Sequence, residues 1–237
     1  MIKEIVTDET KLAERCNEVD VRKDNEQVRA LTVDLKETLR EYKTGIGLAA
    51  PQIGSDFRMF VINFNGDIRT FINPVITNAE NLTLSREGCL SMPGKEYIIP
   101  RYAKVDVMYQ TPLGKTESRK MMGLAAFTFQ HELDHLDGLL MSDIGLEITP
   151  EFDAATEEER DEVLQAYLDS LDLKSKAVKA EIEKDPKLKQ QNDAINFMQS
   201  VISGKTTVEH VALDKETSDK IREVIKEKTE SEKSDKE

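Results

Sequence analysis

The chain has 237 residues, of which 38% are hydrophobic and 33% are charged, and its formal net charge at pH 7 is -13. This length allows one compact domain with an appendage, or two small domains. The acidic balance disfavours nucleic acid and anionic membranes as partners, and no apolar run is long enough to span a bilayer, which excludes a membrane-spanning helix.

The first predicted elements are a helix and a buried strand. Asp24 is placed to cap a helix that runs to about Lys43. The apolar residues of this helix recur on one stripe: Val28, Leu31, Leu35 and Leu39. Residues 58–64 are mostly apolar and β-branched or aromatic, which predicts a largely buried strand.

A hairpin signal and a second helix follow. Residues 104–110 alternate between apolar and polar side chains, which is typical of a strand with one wet face. Residues 111–114 read Thr-Pro-Leu-Gly, a turn pattern that returns the chain in a hairpin. A helix is predicted from about Leu124 to Leu140. We therefore expect an α+β fold with antiparallel strands packed around a central helix.

The remainder of the chain is acidic and has a helical composition. A boundary is expected near Pro150, because a proline restricts the residue before it. Thr156 and Glu159 form a capping-box pattern, and further helices are predicted after Pro186 and over 215–228. The predicted divisions are a globular domain over 1–149, an all-α acidic extension over 150–230 and a disordered tail over 231–237.

The most specific local motif is the pair His131 and His135, with Glu132 between them. Histidines four residues apart on a helix project from the same face, so both can reach one metal ion. Glu132 is then placed to act as a base and then an acid on a water molecule at the metal. The alternative interpretation is two surface histidines on an amphipathic helix.

Two histidines leave a catalytic metal one protein ligand short. Cys89 lies in the segment Glu-Gly-Cys-Leu-Ser-Met-Pro-Gly, near a loop or a strand end, and its thiolate would complete a Cys-His-His set. A buried core cysteine is the alternative. Cys16 is the rival ligand, but it lies among charged residues and we interpret it as structural or incidental.

The third feature is a run of small residues over 45–54, which reads Gly-Ile-Gly-Leu-Ala-Ala-Pro-Gln-Ile-Gly. Small residues allow a ligand to approach the backbone closely. The run lacks the lysine and hydroxyl residue of a phosphate loop. Its one polar side chain, Gln52, has an amide that can donate to a developing oxyanion.

In this order and spacing, the three motifs resemble those of the peptide deformylase family, over roughly residues 1–145. The resemblance implies removal of the N-formyl group from the N-terminal formylmethionine of newly made proteins, with release of formate. It implies Cys89, His131 and His135 as ligands of one divalent metal ion, first of all ferrous iron (Fe2+), with Zn2+, Ni2+ or Co2+ as alternatives.

The resemblance also implies roles in catalysis. A metal-bound hydroxide attacks the formyl carbon, and Glu132 takes the proton of the water and passes it to the leaving amine. The metal, the side chain of Gln52 and the backbone N–H of Leu90 hold the oxyanion.

The expected substrate site combines a side-chain pocket with a backbone contact. Leu124, Phe127 and Thr128 precede His131 on the same helical face, and with Ile46 they are expected to form the methionine pocket. For Leu124 and Phe127, the alternative is a purely core position. Main-chain groups near Gly47 and Gly88 are expected to bind the peptide in an extended form.

Several charged residues are expected to support the site. By the family pattern, Glu87 and Arg101 form an ion pair, and the alternative is two unrelated surface charges. Asp134 and Asp137 are candidate acceptors for the histidines, and a solvated helix face is their alternative. Glu96 departs from the pattern, because relatives often carry a basic residue near the peptide entrance.

The expected partners are N-formylmethionyl peptides, with no specific nucleic acid and no membrane. The acidic extension disfavours simple electrostatic docking on ribosomal RNA and leaves contact with the ribosome or another protein open. The first residues lack the apolar stretch of a signal peptide and two cysteines form no disulfide framework, so we expect a cytoplasmic protein.

Two other functions remain open from sequence alone. A metalloprotease could use the same two-histidine motif, but it would not need Cys89. A binding module without turnover would be expected to lose Glu132, Gln52 or a ligand, and none of these is lost.

Overall fold

A computed structural model describes residues 1–184 of the chain, with side chains as far as residue 171. The chain divides into two compact units, Met1–Ile148 and Thr149–Glu237. The helices predicted after Pro186 and over 215–228, and the tail predicted over 231–237, lie outside the described residues.

The first unit combines helices with one antiparallel sheet. Its helices are α1 (Glu9–Leu12), α2 (Asn25–Glu41), α3 (Leu124–Asp137) and α4 (Met141–Ile144). Its strands are β1 (Gly47–Ala49), β2 (Met59–Phe64), β3 (Asp67–Cys89), β4 (Met92–Gln110), β5 (Thr116–Met122) and β6 (Leu146–Glu147). Strands β1 to β5 pair in chain order, and β6 pairs with β4. The predicted α+β class with antiparallel strands is confirmed.

The predicted helix α2 begins at Asn25, and its apolar stripe faces the core. Val28, Leu35 and Leu39 are buried in one cluster with residues of β1 and β2. The predicted cap by the Asp24 side chain is wrong, because the Asp24 carboxylate accepts a hydrogen bond from the backbone N–H of Asp20 instead. A tight turn over 20–24 therefore uses the carboxylate that would have capped the helix.

Helix α3 lies against the sheet through an aromatic cluster. The Phe129 ring packs edge-on against Phe60 of β2 and Phe71 of β3, with ring centroids 5.1 and 5.5 Å away. The helix ends at Asp137, before the predicted end at Leu140, because Gly138 adopts a left-handed conformation with φ 68° and closes the last turn. This packing fixes the face of α3 that carries the two histidines.

The longest strand, β3, was not predicted. It pairs with β4 over most of its length, with register shifts between Ile72 and Val75, between Ile76 and Asn78, and between Gly88 and Cys89. At the distal end, Cys89 pairs with Met92, so that only two residues form the turn between the strands. This turn lies at the candidate site. The predicted hairpin at 111–114 joins β4 to β5.

The described part of the second unit is helical. It comprises α5 (Pro150–Ala154) and α6 (Glu157–Lys184). The predicted capping box is present: the Glu159 N–H donates to Thr156 Oγ1 at 3.3 Å, and the Thr156 N–H donates to Glu159 Oε2 at 2.8 Å. None of the helices within the described residues is long and apolar enough to cross a membrane.

Candidate active site

The two-residue turn between β3 and β4 brings the Cys89 thiol, the Leu90 N–H and the Ser91 hydroxyl close together. Cys89 ends β3, and Leu90 and Ser91 form the turn. Leu90 packs its side chain against the core cluster around α2. Ser91 is only 2% exposed. The turn is short, its Leu90 side chain packs on the core and its Ser91 side chain is buried, so the Cys89 thiol and the Leu90 N–H have little freedom to move.

Gln52 is held by the short 3-10 helix over Ala50–Ile53, which follows β1. Its Oε1 accepts a hydrogen bond from the Ala49 N–H at 2.8 Å. Its Nε2 donates to Cys89 Sγ at 3.4 Å and to Ser91 Oγ at 3.2 Å. The small residues of this segment are therefore not a loose loop, because they bring a buried amide to the thiol.

Helix α3 supplies the remaining groups. The rings of His131 and His135 lie 5.1 Å apart, centroid to centroid, as expected one turn apart on one face. Nε2 of His135 lies 3.2 Å from Cys89 Sγ. One ligand atom from each of Cys89, His131 and His135 lies within 4.8 Å of the other two. The three residues predicted as ligands are thus gathered around one point.

The rival cysteine lies elsewhere. Cys16 is buried, and its backbone N–H donates to the Leu136 carbonyl oxygen at the end of α3. Burial raises the pKa of its thiol to about 12. Cys16 therefore holds the N-terminal segment to α3 and is a poor metal ligand.

The cluster has the chemistry of a transition-metal site. Thiolate and imidazole together suit zinc, iron and related divalent ions, and three protein ligands leave a position open. Burial raises the pKa of the Cys89 thiol, but His135 and His131 beside it outweigh this effect and lower the pKa to about 5. The thiol is thus already a thiolate near neutral pH, as a ligand must be.

Glu132 is buried against the same centre. Its Oε2 has no hydrogen-bond partner within the described part of the chain. Burial raises the pKa of this carboxyl group to about 7, although positive charge on His131 and His135 acts in the opposite direction. A buried carboxyl oxygen without a partner is costly unless a bound ligand or water occupies the site. These residues fit a metal ion with a coordinated water.

An ion-pair network holds the first histidine. Glu87 Oε2 lies 3.0 Å from His131 Nδ1, and Arg101 binds both oxygens of Glu87 at 2.9 Å. Arg101 also donates to Asp134 at 2.6 Å. Burial raises the pKa of Glu87, but the hydrogen bonds from His131 and Arg101 outweigh it and lower the pKa to about 2. The expected Glu87–Arg101 pair is present, with Arg101 buried and Glu87 largely buried rather than on the surface.

The expected roles of Asp134 and Asp137 need correction. Asp134 binds Arg101, and Asp137 accepts from Arg58 at 2.7 Å, while Glu87 on β3 is the carboxylate that holds His131. Helical spacing placed the two aspartates near the histidines, but they pair with two buried arginines instead, Arg101 of β4 and Arg58 just before β2. Arg58 was not predicted, although an arginine at the start of an apolar strand was a signal for a buried pair.

The expected substrate residues surround this centre with differing exposure. Gly47 faces Glu132 so closely that a Cβ atom there would lie 2.3 Å from Glu132 Oε1. Gly88 is exposed, and Ile46 is 37% exposed. Leu124 is 62% exposed at the start of α3, Phe127 is half-buried, and the buried Thr128 donates its hydroxyl to the Leu124 carbonyl.

Comparison with known proteins identifies the family. The family model of polypeptide deformylase matches residues 2–147. The chain belongs to the polypeptide deformylase family. It is 40% identical over 127 residues to the peptide deformylase of Dictyoglomus turgidum, covering 54% of this chain and 82% of that protein.

Solved peptide deformylases share the fold of the first unit. The enzyme from Thermotoga maritima is 34% identical with a TM-score of 0.57, and the match covers 63% of this chain and 99% of that one. A class I type b peptide deformylase from Acinetobacter baumannii, solved with Met-Ala-Ser bound, is 25% identical with a TM-score of 0.57 and covers 61% of this chain and 98% of that one. The deformylase match by family model ends at residue 147, next to the boundary between the two units.

Proposed function

We propose that this chain is a metal-dependent deformylase that removes the formyl group from N-formylmethionyl peptides and releases formate. The observation that carries the proposal is the convergence of Cys89, His131 and His135 on one point, beside the buried carboxylate of Glu132. Membership of the deformylase family supplies the substrate class. The Met-Ala-Ser held by the Acinetobacter baumannii relative has the form of a deformylated product.

Cys89, His131 and His135 would hold the metal ion, for which the family resemblance favours Fe2+ over Zn2+, Ni2+ and Co2+. When bound there, a divalent ion supplies Lewis acidity that lowers the pKa of water and polarises the formyl carbonyl. The hydrogen bond between Glu87 and His131 Nδ1 leaves Nε2 of His131 as the atom for the metal. Glu87 thereby fixes the orientation of that ring.

Glu132 is the proton carrier in this proposal. Its pKa, raised to about 7 by burial, places it where it can both accept and return a proton near neutral pH. Its Oε2 is free of protein partners among the described residues, so the lone pairs are available to water and substrate. Glu132 would accept the proton of the attacking water and deliver it to the amine that leaves.

Gln52 and Leu90 are the donors for the negative charge that develops on the formyl oxygen. Gln52 Nε2 already points at Cys89 Sγ, 3.4 Å away, so its N–H is directed at the metal ligands. The Leu90 N–H lies in the tight turn directly after Cys89. The Gln52 hydrogen that faces Cys89 Sγ is the one available to the oxyanion, because the other is bound by Ser91 Oγ. Donors oriented before the reaction stabilise the transition state with little reorganisation.

The substrate would bind as an added strand. β1 is the edge strand of the sheet order, so its outer edge can pair with an extended peptide near Ile46 and Gly47. Gly88 offers exposed backbone on the other side. Leu124, Phe127 and Thr128 would form the methionine pocket. Arg86 pairs with Glu96, which lies opposite Gly88, so this pair would border the downstream part of the peptide.

The test is formate release from formyl-Met-Ala-Ser by protein purified without oxygen. Glu132→Gln keeps the shape of the side chain and removes the base, so we expect activity to fall by a factor of about 1,000 or more with the bound metal retained. Glu18→Gln makes the same change at an exposed position and should leave the rate unchanged.

Two outcomes would contradict the proposal. One is metal-loaded wild-type protein that releases no formate, which would favour a binding module that keeps the motifs. The other is a Glu132→Gln variant as active as wild type. Cleavage of internal peptide bonds in an unformylated peptide would favour a metalloprotease instead.

A further inference from the structure

Ser91 contacts Gln52 in the candidate active site, but it is neither a proposed metal ligand nor a proposed proton carrier. Its side chain is 2% exposed, and its Oγ accepts a hydrogen bond from Gln52 Nε2 at 3.2 Å. Serine at this depth is normally held by a specific partner, because a buried hydroxyl without one is costly. Here the partner is the amide that is expected to stabilise the oxyanion.

The three hydrogen bonds of the Gln52 side chain define its orientation. The Ala49 N–H binds Oε1 at 2.8 Å, which fixes the oxygen end of the amide. One Nε2 hydrogen is taken by Ser91 Oγ, and the other is directed to Cys89 Sγ at 3.4 Å. Without Ser91, one amide hydrogen loses its partner, and rotation about the last side-chain bond is restrained only by Ala49 and the long contact to sulfur.

The same hydroxyl restrains the turn that carries the second donor. Ser91 is one of only two residues between Cys89 and Met92. A hydrogen bond that ties this turn to Gln52 therefore also fixes the neighbouring Leu90 N–H. Both donors for the oxyanion are then parts of one rigid unit built around the Ser91 hydroxyl.

We propose that Ser91 is a positioning residue, whose hydroxyl holds the Gln52 amide and the Leu90 N–H in the geometry that the transition state requires. This inference rests on the proposed deformylase function. Ser91 acts through Gln52 and Leu90 and does not itself touch the substrate. Its contribution should therefore appear in kcat and leave substrate affinity nearly unchanged.

The test uses the zinc-loaded full chain, with formyl-Met-Ala-Ser as substrate. Ser91→Ala should lower kcat about tenfold, as expected for the loss of one orienting hydrogen bond, with KM within about twofold of wild type. Ser85→Ala is the matched control, because Ser85 is also a buried serine of the same hairpin. Its kcat should stay within about twofold of wild type.

A double-mutant cycle separates positioning from general packing. In a Gln52→Ala background, Ser91 has no amide left to hold, so adding Ser91→Ala should lower kcat by less than about twofold. An additional tenfold loss in that background would overturn the inference, as would a Ser91→Ala variant with wild-type kcat. If wild-type protein releases no formate at all, the proposed function fails first, and the next measurement still tests Ser91.

That measurement is independent of activity, and its first comparison uses the wild-type protein alone. The side-chain NH2 of Gln52 in the zinc-loaded wild-type protein should give two separate, ordered NMR signals, since each hydrogen has its own acceptor. Ser91→Ala should shift and disorder them, while Ser85→Ala should not. A mobile Gln52 amide in the wild-type protein would overturn the inference.

Discussion

Replacement of Gly47 by alanine should displace the proposed proton carrier without touching it chemically. A Cβ atom at Gly47 would lie 2.3 Å from Glu132 Oε1, 2.7 Å from Cδ and 2.8 Å from Cγ. Ordinary contact distances begin at 3.4 Å, so the carboxyl group must move by about 1 Å or the strand must withdraw. A misplacement of this size costs about 100-fold in rate, so we expect Gly47→Ala to lower kcat by about that factor.

The assay is formate release together with the bound metal and the urea midpoint. Gly45→Ala is the matched control, because its Cβ would meet the ends of two flexible leucine side chains at 3.0 and 3.3 Å and one backbone oxygen at 3.2 Å. We expect this control to keep at least about a third of the wild-type kcat. Equal activity of Gly47→Ala and wild type, with metal bound, would refute the close approach between Gly47 and Glu132 on which the reasoning depends.

Burial and charge at Arg101, Cys89 and Glu132 determine how the protein responds to substitution, to alkylation and to pH. Arg101→Leu leaves two largely buried carboxylates, Glu87 and Asp134, without their partner, so it should lower the free energy of unfolding by about 3 kcal/mol in urea titrations. Arg69→Leu, at an exposed pair, should cost less than about 1 kcal/mol, and equal losses in the two variants would argue against the network around Arg101. In metal-free protein at pH 7, iodoacetamide should modify Cys89, whose pKa is about 5, and should spare the buried Cys16, whose pKa is about 12. Added zinc should protect Cys89 from the reagent. Faster labelling of Cys16 than of Cys89 would contradict this prediction. Because burial raises the pKa of Glu132 to about 7 in the folded protein, this carboxyl group contributes stability that is lost as the pH rises from about 4.5 through 7. The free energy of unfolding of metal-free Glu132→Gln should therefore rise by about 2–3 kcal/mol relative to that of the metal-free wild type across this range, and parallel stability profiles of the two proteins would refute the assignment.

The elements that the sequence predicted correctly are those with local signals. The apolar stripe of α2, the apolar run of β2 and the Thr156 capping box each depend on residues within one or two turns of each other. The motif residues were also predictable, because residues four apart on a helix must share a face. Local periodicity is sufficient for such features.

Strand β3 could not be predicted in the same way. Its 23 residues include Pro74 and a mostly polar stretch over 78–85 with two asparagines, Asn78 and Asn81, which lowers its strand propensity. It is a strand because β4 pairs with it over almost its whole length, and bulges absorb the irregular positions. That pairing joins residues far apart in the chain, so no local window contains the information.

The supporting contacts of the site were the hardest part to predict. Sequence spacing suggested Asp134 as the partner of His131, but in the structure His131 contacts Glu87, and Asp134 accepts a hydrogen bond from Arg101. Which carboxylate binds His131 depends on which strand residues face α3, and these are determined by the register between β3 and β4. Ser91 was missed for the same reason, since its partner Gln52 is 39 residues away.

We propose that Cys89, His131 and His135 hold the single divalent ion on which hydrolysis depends. The most direct measurement is the metal content per chain, determined together with formate release from formyl-Met-Ala-Ser, on wild-type protein purified without oxygen, on Cys89→Ala and on the control Cys16→Ala. We predict a single bound ion and formate release for wild type and Cys16→Ala, and the loss of both for Cys89→Ala. Formate release that persists in Cys89→Ala without bound metal would contradict the account.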